Sequence, residues 1–145
     1  MKKLLSILSV CALFSTYSYA QKGGAAAAQT YVSAAAKLEK YFTEEELNKL
    51  GKLELTQIYM SRVVALVEIM PYIALHPKPG ATLEEMGIRK SDGNLKHVEN
   101  ANKNKSAYIT AMKVTLEDVV PYADKVNMIK CILFYEEIIK KTESL

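Results

Sequence analysis

Apolar side chains occupy every helical face of one stretch of this chain, residues 55–75, which reads LTQIYMSRVVALVEIMPYIAL. Only Glu68 is charged among the thirteen residues between Arg62 and His76. A helix that is apolar on all sides is typically buried by its neighbours. This one is too short and too interrupted for the roughly 20 apolar residues that a bilayer requires. The pattern therefore predicts a central helix that other helices cover.

The central helix is predicted to begin at Thr43 and to run for about thirty residues. Its start is a capping box, in which Thr43 and Glu46 each accept a hydrogen bond from the other's backbone N–H. Gly51 lies within the predicted helix, where it costs about 1 kcal/mol relative to alanine. Pro71 lacks an N–H and predicts a kink, and the prolines of residues 76–80 are expected to end the helix.

Three further segments have the apolar spacing of helices that could cover the central one. Residues 27–42 carry one stripe at helical period and predict a peripheral first helix. Residues 95–120 predict a third helix, with a polar, solvated first half and a second half that joins the core. Residues 123–141 predict a fourth. The chain is therefore predicted to be all-α, a small helical bundle of about four helices around a central Pro-kinked helix.

The fourth predicted helix carries a broad apolar stripe, and its charged residues lie largely away from that stripe. Glu136 is one of these charged residues and is expected to lie away from the core. Cys131 lies on the stripe and is predicted to be a buried small hydrophobe, with a disulfide-linked dimer as the alternative. The stripe consists of Met128, Cys131, Ile132, Tyr135, Ile138 and Ile139.

Two shorter features lie between and within these segments. Thr82 and Glu85 form a second capping box, which opens a short turn that Gly87 can close. Residues 66–72 and 116–122 share one pattern: a leucine, an acid two residues later, two apolar residues and then Pro-Tyr. This echo indicates either a duplicated helical hairpin or two helices that reached the same solution by chance.

The first twenty residues have the organisation of a Sec-type signal peptide. Two lysines precede an apolar run at residues 4–14, and Ser18 and Ala20 fit a cleavage site. A retained membrane anchor is the alternative. Cleavage would leave a flexible lead-in at residues 21–28 and a single helical domain at residues 29–145. The predicted location is periplasmic or secreted, in a bacterium.

Charge and cysteine content restrict the partners of the predicted mature chain. It would carry seventeen basic and sixteen acidic residues, a net charge of +1. Such a balance gives no general attraction to nucleic acid or to anionic membranes, so neither nucleic-acid binding nor stable membrane insertion is expected. Cys131 would be its single cysteine, so an internal disulfide is not available to stabilise the fold.

No sequence motif indicates catalysis. His76 and His97 are the two histidines, and neither has a partner at the spacing of metal ligands. No glycine-rich phosphate loop, nucleophile elbow or cysteine–histidine pairing occurs. We therefore expect a protein that is not an enzyme and that holds neither a cofactor nor a metal. An enzyme with an unusual site is the least favoured alternative.

Arg62 and Glu68 are charged positions within the most apolar helix. An unpaired buried charge costs several kcal/mol. The favoured interpretation is therefore that each residue marks an exposed strip near one end of the helix. A polar pocket in the core and an interface are the alternatives.

Glu68, Tyr72, His76 and Lys78 are the candidate interaction or ligand contacts. His76 and Lys78 belong to a loop that two prolines stiffen, which lowers the entropy lost on binding. The leading hypothesis is an exported, non-enzymatic helical protein of the bacterial envelope, an accessory or interaction module whose partner is another envelope protein. The alternative is a periplasmic carrier or sensor that binds a small apolar ligand in the helical core beside Pro71. The oligomeric state is left open.

Overall fold

The structure is a computed structural model that describes residues 30–75 and 78–144. Within those ranges the chain is all-α, as predicted, and forms a small helical bundle. The predicted signal peptide at residues 1–20, the predicted lead-in at residues 21–28 and His76 lie outside the described residues. The α-helices are α1 (Glu44–Asn48), α2 (Lys52–Ile69), α3 (Asp92–Val119) and α4 (Lys125–Glu143), and 3-10 helix occurs at Ala34–Ala36, Met70–Leu75 and Val120–Tyr122.

Helices α2 and α4 pack side by side and run in the same direction. Near their starts, Leu55 of α2 lies in one buried cluster with Met128 and Ile132 of α4. Near their ends, Ile69 of α2 lies in a second buried cluster with Ile139 of α4. The residue numbers rise together along the seam, so the two helices are parallel.

Helix α3 runs antiparallel to α2. Lys105, in the first half of α3, reaches Glu68 near the end of α2. Leu116, near the end of α3, packs against the cluster that contains Leu55. Because α2 contacts both α3 and α4, it is the middle helix of the bundle.

Both predicted capping boxes are confirmed. The Glu46 N–H donates to Thr43 Oγ1 at 3.2 Å, and the Thr43 N–H donates to Glu46 Oε2 at 2.9 Å. The Thr82 N–H donates to Glu85 Oε2 at 2.7 Å, and the return bond from the Glu85 N–H is 3.3 Å long. The second box opens a short turn that ends at Gly87, whose φ of +72° is the left-handed conformation that glycine adopts most easily.

The prediction of one unbroken helix from Thr43 through Pro71 is wrong, because the chain breaks between α1 and α2. Gly51 is the N-cap of α2, and its N–H donates to Glu54 Oε2 at 2.8 Å. Lys125 of α4 donates from Nζ to the carbonyls of Asn48 and Leu50, each at 2.9 Å. These long-range bonds satisfy carbonyls at the end of α1 that the next helical turn would otherwise bond.

The helix type changes at Pro71. The α-helix ends at Ile69 and continues as 3-10 helix over Met70–Leu75, so the predicted kink of a continuous α-helix stays a prediction. The same change occurs in the matching segment, residues 116–122, where Val120–Tyr122 around Pro121 is also 3-10 helix. Each proline lacks the N–H that would bond the carbonyl four residues earlier, and this is sufficient to end α2 before Pro71 and α3 before Pro121.

The predicted first helix is wrong over its described residues. Residues 30–42 are irregular apart from one 3-10 turn, and we call this segment the strap. Val32 and Ala36 of the strap are buried in the cluster that contains Ile69 and Ile139. The backbone N–H and C=O groups of an irregular segment need partners outside it, and the helices supply them through side chains.

The packing of α3 agrees with the prediction only in part, because its first half is mostly exposed as expected and yet contains the buried Val98, while its second half contacts the core only near its end. Val98, in the first half, is fully buried. In the second half, which was expected to join the core, Tyr108, Val114 and Val119 are each more than half exposed. Leu116 is the residue of this half that packs against a core cluster.

Helix α2 is less covered than its composition predicts. In the described part of the chain, the stretch Lys52–Leu75 is long and apolar enough, by length and composition alone, to cross a membrane. Length alone therefore does not exclude a membrane span here, and the expectation of no stable membrane insertion stays a prediction. Only 22% of the most apolar window in this stretch is buried, so most residues of α2 are partly or fully accessible.

Candidate functional site

Arg62 and Glu136 form a buried ion pair between α2 and α4. The guanidinium Nη2 and Nε donate to Glu136 Oε1 at 2.6 and 2.9 Å, and the two side chains are 8% and 2% exposed. Glu136 Oε2 accepts from the backbone N–H of Phe42 at 2.9 Å, and Arg62 Nη2 also donates to the Lys40 carbonyl at 2.6 Å. Each charge is thus paired and hydrogen-bonded, as a buried charge must be.

Glu68 and Lys105 form a second buried ion pair, between α2 and α3. Lys105 Nζ lies 2.6 Å from Glu68 Oε2, and both side chains are 10% exposed. The same carboxylate oxygen accepts from the backbone N–H of Ser33 at 3.1 Å, and the ammonium also donates to the carbonyl of Tyr31. Asn102 of α3 donates to the Thr30 carbonyl at 2.8 Å.

These contacts correct the interpretation of the charged positions. Arg62 and Glu68 are buried, so the prediction that they mark an exposed strip is wrong and the alternative of a polar pocket in the core is the better description. Glu136, which was expected to lie away from the core, is fully buried as well. The physical reason is the strap, whose irregular backbone requires charged and amide side chains as hydrogen-bond partners.

An open apolar groove lies over the face of α2 that the other helices leave uncovered. Its cavity volume is about 550 Å³, within the usual range for ligand pockets of about 300–1,000 Å³. We call it the α2 groove. Its floor consists of Val63, Leu66, Val67, Met70 and Pro71.

Aromatic and polar side chains form the walls of the α2 groove. Asn104, Lys105 and Tyr108 belong to α3, Tyr135 belongs to α4, and Tyr72 closes the end beyond the floor. Among the described residues of the lining, Lys105 is the one that carries a charge, and it is paired with a carboxylate. Tyr108 is 60% exposed, which keeps the groove open to solvent.

Two of the wall tyrosines are held by a second tyrosine. The Tyr72 ring lies 4.9 Å from the Tyr31 ring. The Tyr135 ring lies 5.6 Å from the Tyr59 ring, and their hydroxyls are 3.4 Å apart. The hydrogen bond with Tyr59, together with burial, raises the pKa of Tyr135 well above its usual value, and burial also raises the pKa of Tyr72. Both hydroxyls therefore stay neutral at physiological pH.

A second cavity, of about 460 Å³, is bounded by the strap, α2 and α3. Its lining is rich in hydroxyl, amide and charged groups, among them Ser33, Glu68, Asn102 and Lys113. Lys105 lines both this cavity and the α2 groove. The buried Glu68–Lys105 pair thus stands where a polar cavity and an apolar groove meet.

The predicted contact residues are only partly brought together. Glu68 lines the polar cavity and Tyr72 lines the α2 groove, with Lys105 in contact with Glu68 and 5.7 Å from the Tyr72 ring. The side chain of Lys78 is exposed, in a loop whose Gly80 N–H donates to the carbonyl of Val32 at 3.0 Å. This loop supports the strap. His76 lies outside the described residues, so its predicted role stays a prediction.

Sequence reasoning missed most of the groove. Val63, Val67 and Met70 were read as core because α2 is apolar on every face, which hides the one face that its neighbours leave open. Tyr135 was assigned only to the apolar stripe of the fourth helix, and Tyr108 was not among the candidate contacts. Their spacing along the chain gave no sign that α3 and α4 place them beside the same part of α2.

Neither a metal-binding group nor a similar protein identifies the function of this site. Among the described residues, no group of three or more His, Cys, Asp or Glu side chains could hold a metal ion. Comparison with protein-family models, with curated proteins and with solved structures finds no match to this chain. The fold and the site define an all-α bundle with an open apolar groove along its middle helix.

Proposed function

We propose that this chain is a non-enzymatic binding protein that takes a small apolar ligand into the α2 groove. The observation that carries the proposal is the groove itself, whose floor is aliphatic and whose walls include three tyrosines, Tyr72, Tyr108 and Tyr135. Pockets for small apolar molecules commonly combine such a lining with a few polar groups that orient the ligand. Among the described lining residues, Asn104 and the tyrosines can supply such polar groups, whereas the Lys105 ammonium is already paired with Glu68.

The energetics favour an occupant over an empty groove. At about 0.8 kcal/mol per buried CH₂, a ten-carbon chain would gain roughly 8 kcal/mol before costs. Lost translational freedom and ligand flexibility offset several kcal/mol of this gain. Affinities in the micromolar range or weaker are therefore expected.

The predicted export of the chain supplies the setting for this role. The signal-like organisation of the first twenty residues supports a periplasmic or secreted binding protein. An apolar molecule that crosses an aqueous compartment needs a carrier or is sensed by a receptor. A carrier or a sensor is thus the form of the proposed function that suits this setting.

Binding of a neutral apolar fluorophore tests the proposal. N-phenyl-1-naphthylamine, whose emission rises in apolar surroundings, should bind the purified protein with saturation. Val67→Trp, which places a large side chain on the groove floor, should weaken that binding. Leu53→Trp is the matched control, since Leu53 lies on the same helix, is exposed and does not line the groove. Equal binding by both variants would place the fluorophore elsewhere and remove the support for the proposal.

A second candidate, the protein-interaction module with another envelope protein as its partner, is favoured by a different surface. Where α2 begins, α3 ends and α4 begins, four apolar side chains are exposed: Leu53, Val119, Tyr122 and Val126. Tyr122 is 88% exposed, and aromatic side chains of this kind are enriched at protein interfaces. Native mass spectrometry of protein purified from its own envelope separates the candidates. A retained small molecule supports the carrier or sensor, and a stoichiometric partner subunit supports the interaction module.

A further inference from the structure

We infer that the α2 groove selects uncharged single-chain amphiphiles with a hydroxyl head group over carboxylates and amines of the same chain length. The inference rests on the proposed function, because it names the ligand class for the same groove. It follows from the way in which the structure neutralises the one charged side chain among the described residues of the groove lining.

That charge is the Lys105 ammonium. It lies 2.6 Å from Glu68 Oε2 and also donates to the carbonyl of Tyr31. Both members of the ion pair are nine-tenths buried, so water screens their interaction little. The pair presents no net charge to a ligand, and the ammonium is committed to protein acceptors.

The remaining polar groups of the lining are neutral. Among the described lining residues these groups belong to Asn104, Tyr72, Tyr108 and Tyr135, and the Tyr135 hydroxyl also lies 3.4 Å from that of Tyr59. An amide and a phenol each donate and accept hydrogen bonds, so they can bond a ligand hydroxyl in either direction. The rest of the lining is aliphatic, as an alkyl chain requires.

A charged head group finds no matching partner in this lining. A carboxylate would lose hydration and meet an ammonium that already has its carboxylate. A protonated amine would likewise lose hydration and meet a carboxylate that is already paired with Lys105. The hydroxyl loses the least hydration and recovers it from neutral partners, so it should bind most tightly.

Displacement of the fluorophore from the wild-type protein by three probes tests the inference. 1-Decanol, decanoate and decylamine are each used to displace N-phenyl-1-naphthylamine at about pH 8, where the acid is ionised and the amine protonated. We expect decanol to displace the fluorophore at a concentration about tenfold or more below either charged probe. Equal or tighter binding of decanoate or decylamine would overturn the inference while the proposed function stands. A fluorophore that does not bind at all would overturn both.

A charge variant tests the cause of the selectivity. Glu68→Gln leaves the Lys105 ammonium without its counter-charge, and the amide oxygen can still accept from the Ser33 N–H. Decanoate should then gain about tenfold relative to decanol. Glu99→Gln is the matched control, because Glu99 lines the neighbouring polar cavity and does not pair with Lys105. An unchanged ratio in folded Glu68→Gln protein contradicts the neutralisation argument. If that variant does not fold, the wild-type probe series still decides.

Discussion

The buried ion pair of Arg62 and Glu136 gives the sharpest test of the fold. Arg62→Met removes the guanidinium and keeps most of the volume of the side chain. It leaves the Glu136 carboxylate, on a side chain that is 2% exposed, with the Phe42 N–H as its hydrogen-bond donor, and it removes the donor to the Lys40 carbonyl. Breaking a buried pair from one side typically costs about 3–5 kcal/mol.

That cost is large against the total stability of a single small domain, which is usually about 5–15 kcal/mol. Urea unfolding followed by far-ultraviolet circular dichroism measures it directly. Lys141→Ala is the control, because it breaks an ion pair of similar length, 2.8 Å to Glu137, in which both side chains are exposed. The control should change the free energy of unfolding by less than about 0.5 kcal/mol.

A double variant separates the charge from the packing. Adding Glu136→Leu to Arg62→Met removes the uncompensated carboxylate, so the pair of changes should cost about 0.5–3 kcal/mol less than the sum of the two single changes. The reasoning would be refuted if Arg62→Met unfolded within about 1 kcal/mol of wild type, because a buried, unpaired carboxylate cannot cost so little.

Three further results are expected. Leu66→Ala should destabilise less than Ile132→Ala, because Leu66 is half-buried in the groove floor whereas Ile132 is fully buried and should cost about 2–5 kcal/mol; equal losses in urea unfolding would contradict the open groove. Burial, with the nearby Glu143 carboxylate, raises the pKa of Tyr41 to about 12. The contribution of Tyr41 to stability is therefore complete below its pKa of about 10 in the unfolded chain and is lost as the pH rises through 12. Tyr41→Phe should then flatten the fall in melting temperature between pH 10 and 12. An unchanged profile would count against this role of Tyr41. Intact mass of the exported protein should place its first residue at Gln21, and a mass that includes residues 1–20 would indicate a retained anchor.

The elements whose causes are local could be predicted from the sequence. Helices α3 and α4 are found within a few residues of their predicted bounds, and the capping boxes at Thr43 and Thr82 form as expected. In each case the residues that make the hydrogen bonds lie three positions apart, so the pattern contains both partners. The all-α class follows from the same local signals.

The strap could not be predicted because its partners are distant in the sequence. Ala34–Ala36 and their neighbours favour helix by composition. The hydrogen bonds that replace helical ones join Ser33 to Glu68, 35 residues away, and Phe42 to Glu136, 94 residues away. No window of sequence contains such a pair, and tertiary contacts override the local propensity.

The burial of Glu136 was indicated by its position and obscured by its charge. It lies four residues after Ile132 and three before Ile139, both of which are fully buried. Arg62 lies about two helical turns after Leu55 and two before Ile69, both of which are fully buried. The helical period placed both residues on the seam between α2 and α4, whereas the free-energy cost of burying a charge favoured a solvent-exposed position for each. The spacing was the better guide, because each charge had a partner that the sequence did not reveal.

The same ion pair accounts for the position of the groove. Arg62 and Glu136 face the seam between α2 and α4, whereas the next residue on α2, Val63, and the preceding residue on α4, Tyr135, line the α2 groove. Aliphatic contacts alone are tolerant of a shift of one helix along the other, but two hydrogen bonds to a single carboxylate oxygen are not. Fixing Glu136 against Arg62 therefore also fixes Tyr135 against Tyr59 and above the groove floor. The double variant without either charge should accordingly lose affinity for a neutral apolar fluorophore even where its stability is largely recovered, and undiminished binding would show that the groove does not depend on this register.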